Sequence, residues 1–501
     1  MSYVTGLSCM RCKHHYAQSE WLDSCPSCGG VIDISYDLER VKGVLTRHEL
    51  KRREPGVWKY SELLPLSDRK NILSLGEGGT YLHRCDRLAT RLGTRTLYLK
   101  DETTNPTGSF LDRGISVEVS TAKERGIRSL CCGSTGNLAA SLVAYAARAG
   151  IETKVFMQQK ANFDTGKLYQ ILAYGASIEL VEDQEDMMTK TSQLDEAWPV
   201  VTASSPYFLE GVKTTGYEVC EQLAWDPPDW IVIPMGNGGH IARVWKAIGE
   251  LRSLGLIDTD VPKLIGVQAK GCSPIADAFQ KGLDEPQSCK SIDTIAIDIG
   301  VREPTCGSAA LSAIRHSTGL AMAVTDRETL DAAGMLARLE GVFAEPASAT
   351  TIAALSRLME DGTIDVSDRV VCMITGMGLK YPEMTKSLVR GKATLERLLT
   401  SVEERRYTTE LGKTKMCILQ ILSRNESYGY DIWKALRDEY SVCLRIPSIY
   451  QHLSELKNAG LVTETRSERT FEKRLRNYYS LTERGRWTLV HLQKLSHGKR
   501  S

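Results

Sequence analysis

No stretch of the 501 residues approaches the roughly 18 consecutive apolar residues that a membrane-spanning helix needs. The first ten residues, M-S-Y-V-T-G-L-S-C-M, also lack the apolar core of a secretory leader, so the expected compartment is the cytoplasm, with no membrane partner. Net charge is nearly absent at +1, which by itself points to no partner. Its distribution is uneven. From Lys413 to Ser501 there are 17 Lys and Arg against 9 Asp and Glu, leaving 46 against 53 in residues 1–412. The last segment is therefore strongly basic and the rest mildly acidic. Apolar residues at 42% against 25% charged are ordinary for a soluble chain with material for cores, and the length suggests about three domains. Without a secretory leader, 14 cysteines argue for reduced thiols and metal ligands rather than a disulfide framework.

Four of those cysteines form two C-x-x-C pairs, Cys9 with Cys12 and Cys25 with Cys28, the second followed by Gly29 and Gly30. Two residues between thiolates let one tight turn present both sulfurs to a tetrahedral ion, and two such turns complete a closed four-thiolate site. This is zinc-ribbon spacing, and it predicts a structural zinc.

From about residue 70 to 390, short apolar runs alternate with amphipathic stretches: T-L-Y-L-K, S-L-C-C, T-K-V-F-M, W-I-V-I-P, L-I-G-V-Q and V-V-C-M-I. Such alternation predicts βα units around parallel sheets. The loop G-S-T-G-N ends where helical spacing begins at Gly136, so free amides and the helix dipole favour an anion there. A second loop, P-M-G-N-G-G-H at 234–240, also stands between a strand and a helix. Gly236, Gly238 and Gly239 have no Cβ atoms to keep backbone N–H groups from closing around a phosphate.

The segment K-D-E-T-T-N-P-T-G-S-F-L-D-R-G at 100–114 resembles the cofactor-lysine motif of threonine synthase, a fold-type-II pyridoxal phosphate (PLP) enzyme, in every respect but one. Leu111 stands where that family has the lysine that holds PLP covalently and then moves protons. L-E-G-V-K-T at 209–214, V-F-A-E-P-A-S-A at 342–349 and I-T-G-M-G-L-K at 374–380 resemble further threonine synthase segments, in the same order. The cysteine-rich start resembles the leader of archaeal and bacterial members. The resemblance implies that Gly236, Asn237, Gly238 and Gly239 hold the PLP phosphate, Asn137 its ring oxygen and Thr375 its pyridine nitrogen. Ser134, Thr135 and Gly136 would hold a substrate carboxylate. Met377 and His240 also depart from the family pattern. Lys100, Lys213 and Lys380 lie where the family has lysines in addition to the reactive one, and are expected in structural or substrate-binding roles.

The basic end reads as a winged helix-turn-helix. In I-P-S-I-Y-Q-H-L-S-E-L-K-N-A-G-L-V, Pro447 suits a helix start and Gly460 its end. Ile449, Leu453 and Leu456 share the inner face, leaving Ser448, Gln451, His452 and Lys457 outward for a major groove. A following hairpin would carry Arg466, Arg469, Lys473, Arg474 and Arg476 near its tip, where cations neutralise phosphates. The stretch resembles the PadR family of transcriptional regulators in its Y-G-Y-x-I, its S-x-Y-x-x-L-x-x-L helix and its R-x-Y-Y-x-L-T wing.

The expected architecture is thus α/β: a zinc ribbon over 1–40, a fold-type-II PLP domain of two doubly wound α/β subdomains over 41–390, a linker over 391–412 and a winged helix over 413–501. The expected function is that of a DNA-binding regulator, a homodimer on double-stranded DNA. Its PLP-fold domain would sense noncovalent PLP, an amino acid or a phosphorylated amino acid. The alternative is a threonine synthase or related PLP lyase acting on O-phosphohomoserine, with the winged helix as an accessory.

Overall fold

The structure, a computed structural model, describes residues 2–389 apart from 19, 135, 159–164, 183, 193 and 195–197, together with residue 395 and residues 411–469, 475–486 and 488–489. The chain forms two units, Met1–Leu388 and Val389–Ser501.

In the first unit, strands β1 (Val4–Cys9), β2 (His15–Tyr16) and β3 (Ile32–Tyr36) make a small antiparallel sheet in the order β2-β1-β3. Period-two alternation along β3 buries Ile32 and Ile34 against Ile248 and Leu251 of the helix Gly239–Ser253. Asp33 between them turns to the same helix and pairs with Lys246 at 2.7 Å and with Arg243. The cysteine-rich start is therefore packed onto the larger body by both apolar and ionic contacts.

That body is built on β4 (Tyr81–Arg84), β5 (Thr96–Asp101), β6 (Ser129–Gly133), β7 (Glu152–Gln158), β8 (Ser177–Val181), β9 (Trp230–Pro234), β10 (Lys263–Ala269), β11 (Leu320–Val324) and β12 (Arg369–Ile374). Six of these strands form one sheet in the order β11-β10-β9-β12-β5-β4, parallel except for β4, and β6-β7-β8 form a second, parallel sheet. Every residue of β9 is buried, as an uninterrupted apolar run requires when helices cover both faces. The three strands absent from the apolar runs named above, β4, β8 and β11, all lie at sheet edges, where cover is incomplete and the pattern weaker.

Parallel order brings the carboxyl ends of β5, β9 and β12 to one side of the sheet, where open α/β folds bind ligands. Below that rim lies a buried ionic cluster. Arg113 reaches Glu102 at 2.6 Å and Glu218 at 2.7 Å, and Lys100 Nζ reaches Glu218 at 2.7 Å. All four side chains are nearly inaccessible. They tie β5, the helix Leu111–Glu124 and the helix Thr214–Gln222 together.

In the second unit, residues 411–424 form a helix, followed by β13 (Ser427–Tyr428), the helices Gly429–Tyr440 and Ile446–Asn458, and the hairpin β14 (Val462–Arg469) with β15 (Leu475–Leu481). The order β13-β15-β14 completes a winged helix. Ile449, Leu453 and Leu456 are buried with Ile432, Leu436 and Tyr479, so the inner face read from the sequence is the packed one. Pro447 lies in the first turn of the helix Ile446–Asn458, and Gly460 follows its end at φ +69°. That left-handed conformation suits a residue without Cβ. Among the described residues no helix is long and apolar enough to cross a membrane.

Candidate functional site

The two C-x-x-C turns bring their sulfurs together. The Sγ atoms of Cys9, Cys12, Cys25 and Cys28 all lie within 4.8 Å of one another, with Cys9 to Cys28 at 3.5 Å and Cys12 to Cys25 at 3.6 Å. Four sulfurs about 2.3 Å from a common ion would lie about 3.8 Å apart, so the cluster has the dimensions of a tetrahedral thiolate site. Gly30 is required here, because a Cβ on it would stand 2.8 Å from Cys9 Sγ and 3.2 Å from Cys28 Sγ.

At the strand rim of the first unit is a cavity of about 820 Å³. Ser134, Gly136 and Asn137 line it from the start of the helix Asn137–Ala149, Gly236 to Gly239 from the turn after β9, and Thr375 from the end of β12. Thr135 lies outside the described residues. The structure thus gathers on one wall residues from three motifs far apart in sequence.

Close packing makes the glycines of the second loop necessary. A Cβ on Gly236 would stand 3.1 Å from Ile299 Cα, and one on Gly239 2.7 Å from Leu209 Cδ2. Gly238 sits at φ +87° as the cap of the helix Gly239–Ser253, and a helix start of this kind favours an anion. Asn237 engages two hydroxyls that also line the cavity. Its Nδ2 donates to Ser204 Oγ at 3.1 Å, and its Oδ1 accepts from Thr305 Oγ1 at 2.8 Å.

Leu111 is half-buried, opens the helix Leu111–Glu124 and lines the cavity. Beside it Phe110 stacks on His240 with ring centroids 4.5 Å apart. His240 is 7% exposed and neither ring nitrogen has a hydrogen-bond partner; burial pushes its pKa down to about 4, leaving a neutral imidazole at the cavity wall. No lysine is among the described residues that line this cavity. Lys100 is held by Glu218, and Lys213 by Glu210 at 2.5 Å and Glu250 at 3.1 Å. Lys380 Nζ donates to Asn137 Oδ1 at 2.9 Å, and burial holds this amine below the usual lysine range.

Two acids belong to the site although no sequence signal marked them. Glu345 precedes Pro346 at the start of the helix Pro346–Glu360 and is 2% exposed. It accepts from Thr375 Oγ1 at 2.8 Å and from Asn137 Nδ2 at 3.1 Å. Burial, aided by nearby Asp298, pushes its pKa up to about 7. Asp298 reaches the cavity from the turn Ile297–Ile299 and pairs with Lys167 at 2.8 Å. Glu345 stood inside a quoted motif without a role, while Asp298 lies in a segment with no motif and is placed by tertiary packing alone.

On the winged helix, Gln451 and Lys457 are exposed as expected. Ser448 and His452 are half-buried, less open than Gln451 and Lys457, because they flank the buried Ile449 and Leu453. Several of the expected contacts carry carboxylate partners, Gln451 with Glu455 at 3.1 Å, Lys457 with Glu464 at 2.9 Å and Arg466 with Glu426 at 2.6 Å. Arg466 pairs with Tyr478 inside the ladder, beside a register shift after Glu464, so it sits mid-strand rather than near the hairpin tip. Arg476 is exposed and lies over the Tyr428 ring at 4.7 Å. Arg469 closes β14, while Lys473 and Arg474 lie outside the described residues.

Residues 73–376 match the family of pyridoxal-phosphate-dependent enzymes, more than half the chain. The chain belongs to that family. It is similar to the threonine synthase of Methanocaldococcus jannaschii, at 43% identity over 75% of this chain and 93% of that protein, and to that of Methanosarcina acetivorans, at 40% over 75% and 92%. Among solved structures, the processed form of threonine deaminase isoform 2 from Solanum lycopersicum superposes with a TM-score of 0.54 at 18% identity, covering 68% of this chain and 96% of that one, which shows the shared fold. Residues 418–491 match the PadR-like family of transcriptional regulators. A PadR-like unit is therefore fused to a threonine-synthase-like PLP unit with a four-cysteine cluster at its start.

Proposed function

We propose that the protein is a DNA-binding transcriptional regulator whose PLP-fold unit captures a small molecule without turning it over. The ligand is PLP held noncovalently, its adduct with an amino acid, or a phosphorylated amino acid. One observation carries the reading: Leu111 lines the cavity where the family motif has its reactive lysine, and no lysine is among the cavity's described lining residues.

The residues present fit PLP at every point but that one. Gly236, Gly238 and Gly239 line the cavity without side chains, which suits the phosphate, and Thr375 and Asn137 offer polar atoms for the ring nitrogen and ring oxygen. Bound PLP supplies an aldehyde for amines and a ring that accepts electrons. Here Phe110, Leu111 and His240 offer that aldehyde a neutral wall with no amine. The winged helix, with its charge excess and exposed Arg476, is the DNA-binding part, acting as a homodimer on double-stranded DNA. The four-cysteine cluster holds a structural zinc.

The threonine synthase reading has one observation in its favour, the 43% identity across nearly the whole length of such an enzyme. Absorption spectra before and after borohydride reduction separate the two. PLP added to the purified protein should bind and then leave on dialysis. Borohydride fixation of PLP to a native lysine would overturn the sensor reading and restore the enzyme. Leu111→Lys should retain PLP through dialysis, with a lysine at 111 carrying the label after reduction.

A further inference from the structure

We propose that Glu345 and the pyridine nitrogen of bound PLP share a single proton through the Thr375 hydroxyl, so that Glu345 is a positioning residue that makes ligand capture depend on pH. The inference rests on the reading of the cavity as a PLP site.

The geometry leaves the proton one path. Glu345 Oε2 accepts from Asn137 Nδ2 at 3.1 Å and from the Tyr381 hydroxyl at 3.3 Å. Lys380 fixes the orientation of that amide by donating to Asn137 Oδ1 at 2.9 Å. A proton on Glu345 therefore belongs on Oε1, which faces Thr375 Oγ1 at 2.8 Å. Ser348 Oγ accepts the backbone N–H groups of Thr375 at 2.8 Å and Gly376 at 3.1 Å. With its acceptor sites filled, its own hydrogen is left for Thr375 Oγ1 at 3.0 Å, nearer than Glu345 Oε1 at 3.5 Å.

The Thr375 hydrogen then has two destinations, Glu345 or the cavity. Ionised Glu345 takes it, and Thr375 presents a lone pair that suits a protonated ring nitrogen. Neutral Glu345 donates to Thr375, whose hydrogen turns outward to an unprotonated nitrogen. Either arrangement holds one proton between the acid and the ring. Both groups deprotonated leaves the nitrogen facing a lone pair, and both protonated sets two hydrogens against one oxygen.

The other charged groups facing Glu345 are Asp298 from the turn Ile297–Ile299, Lys167 from the helix Thr165–Ala173 and Lys380 from the turn Gly378–Lys380. Burial and Asp298 raise the Glu345 pKa to about 7, against the pull of Lys167 and Lys380. Above that pH the free site has released its proton, and the complex must take one up.

The test compares PLP dissociation constants, read by protein fluorescence, for wild type and Glu345→Gln from pH 6 to 9. A glutamine amide always donates to Thr375, and the ligand's own titration cancels in the ratio of the two constants. The wild-type to variant ratio should stay level below about pH 7 and rise about tenfold per pH unit above it, as one-proton linkage requires. Thr375→Val, which removes the relay, should give a ratio of the same shape, and it keeps the test decisive if the glutamine variant does not fold. A level ratio across the range with PLP bound would overturn the shared proton while leaving the PLP site standing. Failure of wild type to bind PLP at any pH would overturn both.

Discussion

Leu111 packs against the cluster that holds Phe208, Leu209 and Val212 while it lines the cavity, so a hydrocarbon there joins the core and alters only what the cavity can hold. Arg113, two residues on, has the opposite character. It is fully buried and satisfies two carboxylates, and the same burial that penalises its charge makes it hard to replace. Arg113→Met should leave Glu102 and Glu218 without their guanidinium and lower stability by about 3–5 kcal/mol, measured by denaturant unfolding at neutral pH. Arg113 holds both carboxylates below the usual range in the folded state. Their contribution is therefore present above the unfolded carboxylate pKa and lost as pH falls through the folded one. The gap between wild type and variant should accordingly narrow in acid. An undiminished gap at low pH would mean that Arg113 acts through packing instead.

Among the elements, the cysteine turns and the helix Ile446–Asn458 were the most legible, because each has a short repeat with one physical meaning. Spacing named the four sulfurs, and their mutual approach to within 4.8 Å follows from two turns facing each other. Cys25→Ser should abolish the tightly held zinc, expected at one per chain, when metal content is compared with wild type. Unchanged metal would sink the assignment. Because β3 packs on the helix Gly239–Ser253, whose first residues line the cavity, loss of the metal is also expected to lower the unfolding temperature of the first unit. On the winged helix, periodicity found the buried face but not the ion pairs of Lys457 and Arg466, whose partners come from other elements.

At the scale of the whole molecule, the basic end is expected to bind duplex DNA as a symmetric dimer, with affinity falling steeply as salt rises. Each lost phosphate contact should reduce the log–log salt slope by about 0.9, so Arg474→Ala should flatten it by that amount across all sequences. Gln451→Ala should instead blur operator preference, a base-edge contact being worth about 1–3 kcal/mol of discrimination. A salt-independent affinity would leave the winged helix as a protein-docking module. The sequence alone determined the central strands, where the four thiols and the glycine loops stand, and that residue 111 carries no amine, because these depend on spacing and side-chain chemistry within short windows. Only the tertiary structure decided that no lysine is among the cavity's described lining residues, that Lys100 and Lys213 are held by buried carboxylates, and that Glu345 and Asp298 join Asn137 and Thr375. Parallel strand order collects the carboxyl ends of distant strands at one rim, and no local pattern records which side chains meet there.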